Sequence, residues 1–373
     1  MQLGKIILNW LRAAKMDKMH KIGTGNGGRP VFRQHHQNTD GRDVFLYGYE
    51  EKKRTPVGEP LTRDTQSSEL RWHPLRQEWN AYAAARQNRT YKPGAASDPL
   101  APMTPSGPPT EIPFSDFELA IFENRFPTLS SAAFAGANEF VDVAPARGRC
   151  EVVVYGPEPE GSLATIGQDR RHILLNAWID RYNDLFADGI DFVLPFENRG
   201  EEVGVTLHHP HGQIYGFQDT PNVQARAAKA FQEGFDLCAQ LNTWRDDYWV
   251  THAGGIVAYC PPFARFPYEV WLSPLTPRPG PWAFTAKEAD GFCSLLGTIT
   301  EKYDALFGRP TPYMMSLHAA PQSAGDDFQF TTQFYPILRA PERVKFLASV
   351  EQATGVFTVD ILPERAARAL SDA

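Results

Sequence analysis

A chain of 373 residues that is 42% apolar, 12% aromatic and 22% charged has ample length for a sizeable core and a composition that excludes global disorder. Its net charge of −7 gives no reason to expect nucleic-acid binding, so an anionic small substrate would have to be met by a few placed arginines. The four cysteines, Cys150, Cys238, Cys260 and Cys293, form no CxxC pair, which argues against a disulfide framework or a zinc ribbon and makes a reducing cytoplasm the natural home.

Residues 1–60 read as a polar, flexible N-terminal arm with one strand candidate, 43–47. The arm's apolar run Ile6-Ile7-Leu8 is too short to span a bilayer, and a soluble protein with no membrane partner is expected. Next comes WHPLRQEWNAYAAARQNR, a turn and then a strand around 79–83, followed by Arg86 and Arg89. Residues 93–113 are rich in proline and small residues and predict a long irregular connection. IFENRF at 121–126 and CEVVVYGPE at 150–158 predict strands. A helix follows over 166–186, its apolar residues Ile166, Ile173, Leu174, Trp178, Tyr182, Leu185 and Phe186 falling largely on one side. FVLPFEN (192–198) and LHHPHGQIYG (207–216) predict two more strands.

The second half opens with a helix from 222 to about 241 and continues through strands in YWVTHAGGIVAYCPP and YEVWLSP. Thr285 with Glu288 three residues on predicts a capping box at the head of a helix that runs to 307. YMMSLHAA and FQFTTQFYPIL are the last strands, before a helical C-terminus. The order repeats. Tyr182-Asn183-Asp184-Leu185-Phe186 and Tyr303-Asp304-Ala305-Leu306-Phe307 end corresponding helices, FVLPFEN is answered by YMMSLHA, and HPHGQIYG by TTQFYPIL. Residues 61–220 and 221–373 therefore read as two copies of one half-barrel, with the histidines kept only in the first.

Three of the ten histidines stand at 208, 209 and 211. In a strand His209, His211 and Gln213 share a face, whereas His208 and Pro210 point the other way. A metal clamp would need further ligands that the dispersed histidines and cysteines do not supply nearby. A nucleophile needs only one neutral imidazole whose other ring nitrogen is held by a partner, and a rigid His-Pro-His segment suits that. Gln213 adds a neutral amide for a phosphoryl oxygen, and Gly212 and Gly216 allow a phosphate to approach the backbone.

FENRGEEVGVTLHHPHGQIYG resembles the active-site segment of galactose-1-phosphate uridylyltransferases of the histidine-triad superfamily, with Asn198 and His209 at the family's spacing. The likeness extends over most of 70–365: HPLRQEWNAYAAARQNR, IFENRF and FYPILRAPERVKFLASVE each resemble family segments. It implies an α+β fold, a mostly antiparallel sheet of two histidine-triad-like halves with flanking helices. It also implies transfer of a uridylyl group from UDP-glucose to galactose 1-phosphate through a covalent uridylyl-histidine. On this resemblance His211 is the nucleophile, the backbone of His209 orients it, Gln213 and Asn198 bind the phosphoryl group, and Thr206 is a substrate-binding residue. Arg86 and Arg89 fall on the family's phosphate-contacting arginines, Asn124 on the residue that meets uridine, and Lys345 and Glu351 on a lysine and glutamate of the substrate site. Family members are commonly homodimers.

The resemblance fails at the metals. Asp98 and Ala101 stand where many members have two zinc-binding cysteines, and Pro159 stands where they have a histidine, so of that set only His209 remains. Of the histidines of a second centre only His318 remains, with Thr331 and Gln333 in the other places. No metal cofactor is expected. Arg125 also replaces an aspartate that commonly contacts the nucleotide, which leaves open a related nucleotidylyltransferase or phosphorylase acting on ADP-sugars or dinucleotides, or a non-catalytic nucleotide-binding homologue.

Overall fold

The computed structural model describes residues 19–63, 67–88 and 98–373. The head of the expected N-terminal arm, 1–18, lies outside them. Two compact units are present: one runs to Glu160 and includes Asn176–Asp180 and Leu207–Gln213, and the other takes the rest.

In the first unit, strands β1 (Met19–Thr24), β2 (Pro30–Gln37), β3 (Asp43–Gly48), β4 (Glu69–His73), β5 (Glu78–Tyr82), β6 (Leu119–Glu123), β7 (Val143–Pro145) and β8 (Gly148–Val154) form two antiparallel sheets. The larger has the order β1-β2-β3-β6-β8 and the smaller β5-β4-β7. Strand β3 is buried on both faces. Val44 and Leu46 pack with Ala120, Phe122, Val154, Ile112, Phe114 and Leu100. On the opposite face Tyr47 donates its hydroxyl to Asp180 at 2.8 Å.

The sequence predicts a strand only at 43–47, whereas residues 19–48 hold three. The reason is chemical: β2 carries polar side chains that are buried in pairs, so an apolar alternation is absent. Arg33 Nη1 lies 2.8 Å from Asp180, Gln34 exchanges two 2.7 Å hydrogen bonds with the Arg54 backbone, and His35 sits 3.0 Å from Asp43. Arg42, fully buried at the head of β3, donates to Asp40 and Glu111 at 2.8 Å each and also to the carbonyls of Glu123 and Leu61. It ties the turn before β3 to the irregular segment around Glu111.

Helix α1 (Gly167–Ala187) and strand β10 (His211–Phe217) have residues in both units, and β9 (Phe192–Arg199) belongs to the second. The second unit continues with α2 (Asn222–Gln232), α3 (Leu237–Thr243), α4 (Arg245–Tyr248), β11 (Trp249–Ala253), β12 (Ile256–Tyr259), β13 (Val270–Pro274), α5 (Ala286–Phe307), β14 (Tyr313–His318), β15 (Thr331–Pro336), α6 (Ser349–Thr354) and α7 (Pro363–Asp372). Its strands follow the antiparallel order β9-β14-β15-β13-β12-β11. The α+β class and the antiparallel sheet agree with expectation, and the order helix–strand–strand occurs twice, as α1–β9–β10 and α5–β14–β15. The sheets are open and close no barrel among the described residues.

The capping box at Thr285 is present: Thr285 N donates to Glu288 Oε2 at 2.7 Å, and Glu288 N donates to Thr285 Oγ1 at 3.2 Å. Further along, α5 meets the β11–β12 turn so closely that a Cβ on Gly291 would lie 2.2 Å from the Ala253 carbonyl oxygen. The helix predicted over 222–241 breaks in two. Gly234 takes a left-handed φ of 98°, and the Asp236 side chain accepts from Ala239 N at 3.0 Å to start the next helix. No described helix is long and apolar enough to cross a membrane.

Arg42→Leu should therefore destabilise the chain by about 3 kcal/mol or more, because Asp40 and Glu111 lose a buried countercharge. A chemical-denaturation midpoint close to wild type would contradict this account of the turn.

Candidate active site

The site grows from where β8 ends and β10 begins. Tyr155, just past β8, donates its N–H to the Pro210 carbonyl at 3.1 Å. Proline at 210 fixes φ and has no N–H of its own, so the chain stays irregular until His211 opens the strand. The strand expected over 207–216 thus starts later than the pattern suggested, and His209 stands in the bend before it rather than in the β alternation. Within β10, His211 and Gln213 do alternate as half-buried positions against buried Gly212 and Ile214.

His209 has a buried ring and is held at both nitrogens: Nδ1 is 2.6 Å from Asp98 Oδ2 and Nε2 is 2.7 Å from the Gly156 carbonyl. Burial alone would raise the Asp98 carboxyl, but the hydrogen bonds from His209 and from Leu100 N (2.9 Å) outweigh it and hold the group below its ordinary range. The Asp98 carboxylate and the Gly156 carbonyl thus hold the His209 ring from both of its nitrogens.

The backbone of this fixed residue then positions its neighbour. The His209 carbonyl lies 2.7 Å from His211 Nδ1. A carbonyl cannot donate, so Nδ1 of His211 carries its proton and Nε2 keeps its lone pair, with no protein partner among the described residues. Burial pushes the His211 pKa below its ordinary value and the charge of His209 adds to this, while the bond to the His209 carbonyl and the Asp98 charge oppose it. The net direction is down, which leaves His211 neutral at neutral pH.

Other expected site residues divide by unit. In the first, the half-buried Gln213 amide has no hydrogen-bond partner among the described residues. Arg86 Nη1 donates to the Phe126 carbonyl at 3.3 Å and Asn124 Oδ1 accepts from Phe126 N at 2.8 Å, so both converge on that turn. Arg125 is drawn aside, its Nε 3.2 Å from Glu111. Arg89 lies outside the described residues. In the second unit, Asn198 at the end of β9 and Thr206 beyond it are half-buried with side chains that no described residue engages. Lys345 and Glu351 are buried against each other at 3.3 Å. The Lys345 ammonium also donates to the Thr358 carbonyl, and Glu351 accepts from Thr358 Oγ1 at 2.7 Å and from Ala348 N at 3.0 Å. Their charged atoms thereby anchor the segment around α6. Sequence reasoning missed the carboxylate that holds His209: Asp98 was visible only as a position lacking a metal-binding cysteine, and Gly156 gives no sequence signal because it acts through its carbonyl.

The family's zinc does not fit these residues. Ala101 and Pro159 offer no donor atom, and both ring nitrogens of His209 are already engaged by protein atoms. Among the described residues no group of three or more histidine, cysteine, aspartate or glutamate side chains could hold a metal ion.

Comparison with known proteins converges on one family. The family described as galactose-1-phosphate uridyl transferase, N-terminal domain, matches residues 59–221. Galactose-1-phosphate uridylyltransferase of Thermotoga maritima is 34% identical over 319 residues, covering 82% of this chain and 98% of the relative. That of Streptomyces lividans is 31% identical over 363 residues, covering 89% and 95%. A solved uridylyltransferase structure superposes with a TM-score of 0.72 at 25% identity, covering 82% of this chain and 97% of the other.

Asp98→Asn removes the carboxylate that holds the buried His209 ring and should lower stability by about 2–4 kcal/mol. A denaturation midpoint within experimental error of wild type would contradict this role for Asp98.

Proposed function

The chain belongs to the galactose-1-phosphate uridylyltransferase family, and from that premise we propose that it converts UDP-glucose and galactose 1-phosphate into UDP-galactose and glucose 1-phosphate by double displacement at His211. The observation that carries this reading is the 2.7 Å contact of His211 Nδ1 with the His209 carbonyl, which leaves Nε2 as a neutral nucleophile.

In the first half-reaction Nε2 attacks the α-phosphorus of UDP-glucose. The bond from phosphorus to the bridging oxygen breaks, and glucose 1-phosphate leaves with the electron pair. The imidazole takes the uridylyl group while its Nδ1–H stays on the His209 carbonyl, a bond that strengthens as the ring becomes electron-poor. In the second, a phosphate oxygen of galactose 1-phosphate attacks the same phosphorus from the vacated side, and His211 departs as the neutral ring with which it began. Gln213, with its unengaged amide, is the donor suited to the phosphoryl oxygens. Asn198 and Thr206 take the same role in this reading. Arg86 and Arg89 neutralise phosphate charge, Asn124 meets the uracil ribonucleoside, and Lys345 and Glu351 shape the substrate site through the segment that they anchor.

The reading includes no resident metal. Zinc in the family would fix the first histidine of the motif, and here the Asp98 carboxylate and the Gly156 carbonyl do so with two hydrogen bonds. It also includes a cytoplasmic homodimer. The four cysteines are free and buried, which suits a reducing compartment, and the exposed Leu75, Phe134 and Phe140 give a second copy apolar surface to cover.

Steady-state exchange between UDP-glucose and galactose 1-phosphate tests the assignment. His211→Ala should lower the rate by more than about 10³-fold with little change in thermal midpoint; substantial turnover in that variant would overturn it. Protonated His211 cannot attack, so activity is present above its pKa and lost as pH falls through it. Because burial depresses that pKa, the acid limb of kcat/KM should lie below the ordinary imidazole value of 6.5. An acid limb above that value would contradict the geometry.

A further inference from the structure

The second unit holds a cavity of about 320 Å³ that the proposed chemistry does not use. Its floor is the strand pair β14–β15, with His318, Thr331, Gln333 and Tyr335, and its walls include Phe231 on α2, Phe328 and Trp271. Phe235, Phe263 and Val223 also line it and are 40%, 49% and 54% exposed, so an apolar rim faces solvent.

The floor is the second copy of the catalytic strand. HGQIYG of β10 is answered in β15 by TTQFYP: the glutamine and tyrosine recur as Gln333 and Tyr335, while Thr331 stands in the place of the nucleophile His211. A threonine cannot form the phosphoimidazole bond, so this copy keeps a binding face without the transfer group. Nor is it a metal site: Gln333 Nε2 donates to Thr331 Oγ1 at 2.9 Å, Tyr335 donates its hydroxyl to Gln333 Oε1, and His318 Nε2 faces Ser316 Oγ at 2.9 Å.

Two groups in the cavity remain without protein partners, and a guanidinium stands beside them. Nδ1 of His318 has none among the described residues. The second N–H of the Gln333 amide has none either. The guanidinium of Arg265 lies over the Tyr335 and Phe357 rings at 5.6 and 5.0 Å and has no carboxylate within salt-bridge distance among the described residues. Burial and the nearby Arg265 hold His318 down to about 4, so the ring is neutral near pH 7 and offers a hydrogen bond rather than a charge. Another wall is preset: Glu269 accepts from Trp271 Nε1 at 2.7 Å and from the backbone N–H groups of Arg265 and Phe266 at 2.7 and 3.0 Å, which fixes the indole plane.

A ligand matched to this cavity has a flat unsaturated body for the aromatic walls, a hydrogen-bonding edge for His318 and Gln333, and an anionic group for Arg265. A purely apolar guest would leave the polar floor unsatisfied, and an anion without a ring would leave the walls bare. We propose that the second unit binds a nucleoside monophosphate in this cavity, non-covalently, as a second nucleotide site built on the duplicated strand pair.

Equilibrium dialysis with radiolabelled AMP and UMP, each against the full chain, tests this. The variant Ala227→Phe extends a ring from α2 into the cavity. Wild type should hold one more equivalent of at least one of the two nucleotides per chain than this variant, while uridylyl transfer and thermal midpoint stay near wild type. Should Ala227→Phe fail to fold, Gln333→Leu should weaken the same equivalent by about tenfold or more through the lost amide contact. The readout is the difference between wild type and variant, so it stands whether or not His211 transfers a uridylyl group. Equal stoichiometry and affinity in wild type and variant, for both nucleotides, would overturn the proposal.

Discussion

The hydrogen bond from His211 Nδ1 to the His209 carbonyl is the contact on which the proposed chemistry depends, and much of the first unit serves to hold its acceptor still. A backbone carbonyl is a good orienting partner only if its residue cannot rotate. Here the residue is clamped three ways: Asp98 and Gly156 grip the His209 ring, and Tyr155 N–H grips the carbonyl of the next residue, Pro210. Burial above all, with the neighbouring His209 adding to it, disfavours a proton on His211. The carbonyl of His209 sets the tautomer of His211, and burial sets the direction of its charge state.

That arrangement also accounts for how a family metal position can change without loss of the architecture. A tetrahedral metal supplies rigidity by binding several side chains at once, and a carboxylate hydrogen-bonded to an imidazole supplies it between two. The irregular segment that carries Asp98 is itself pinned: Met103 N donates to the Phe114 carbonyl at 2.9 Å, Glu111 N to that of Pro99 at 2.9 Å, and Glu111 pairs with the buried Arg42. The long proline-bearing connection is therefore part of the scaffold of the site, although nothing in its composition announces this.

Legibility in the sequence followed burial chemistry. The second unit was read well because its helices and strands bury apolar residues with the expected periods, as α5 does with Phe292, Leu295, Leu296, Ile299 and Tyr303. Strand β2 is not legible because Arg33 and Gln34 are accommodated by Asp180 and Arg54, 147 and 20 residues away, and His35 by Asp43 across the hairpin, and no apolar alternation encodes that. The same holds at the site. His211 and Gln213 stand out in a compact motif, but Asp98 acts across a long separation, and the engagement of Lys345 with Glu351 and Thr358 depends on a fold in the chain that residue types alone do not specify.

The proposed double displacement requires that Nε2 of His211 become covalently uridylylated. Intact-protein mass spectrometry after mixing the purified chain with UDP-glucose alone tests it most directly. The account predicts an added uridylyl mass that disappears when galactose 1-phosphate is supplied and never forms on His211→Ala. A chain that turns over both substrates without ever carrying that mass, or that carries it equally in the His211→Ala variant, would contradict it.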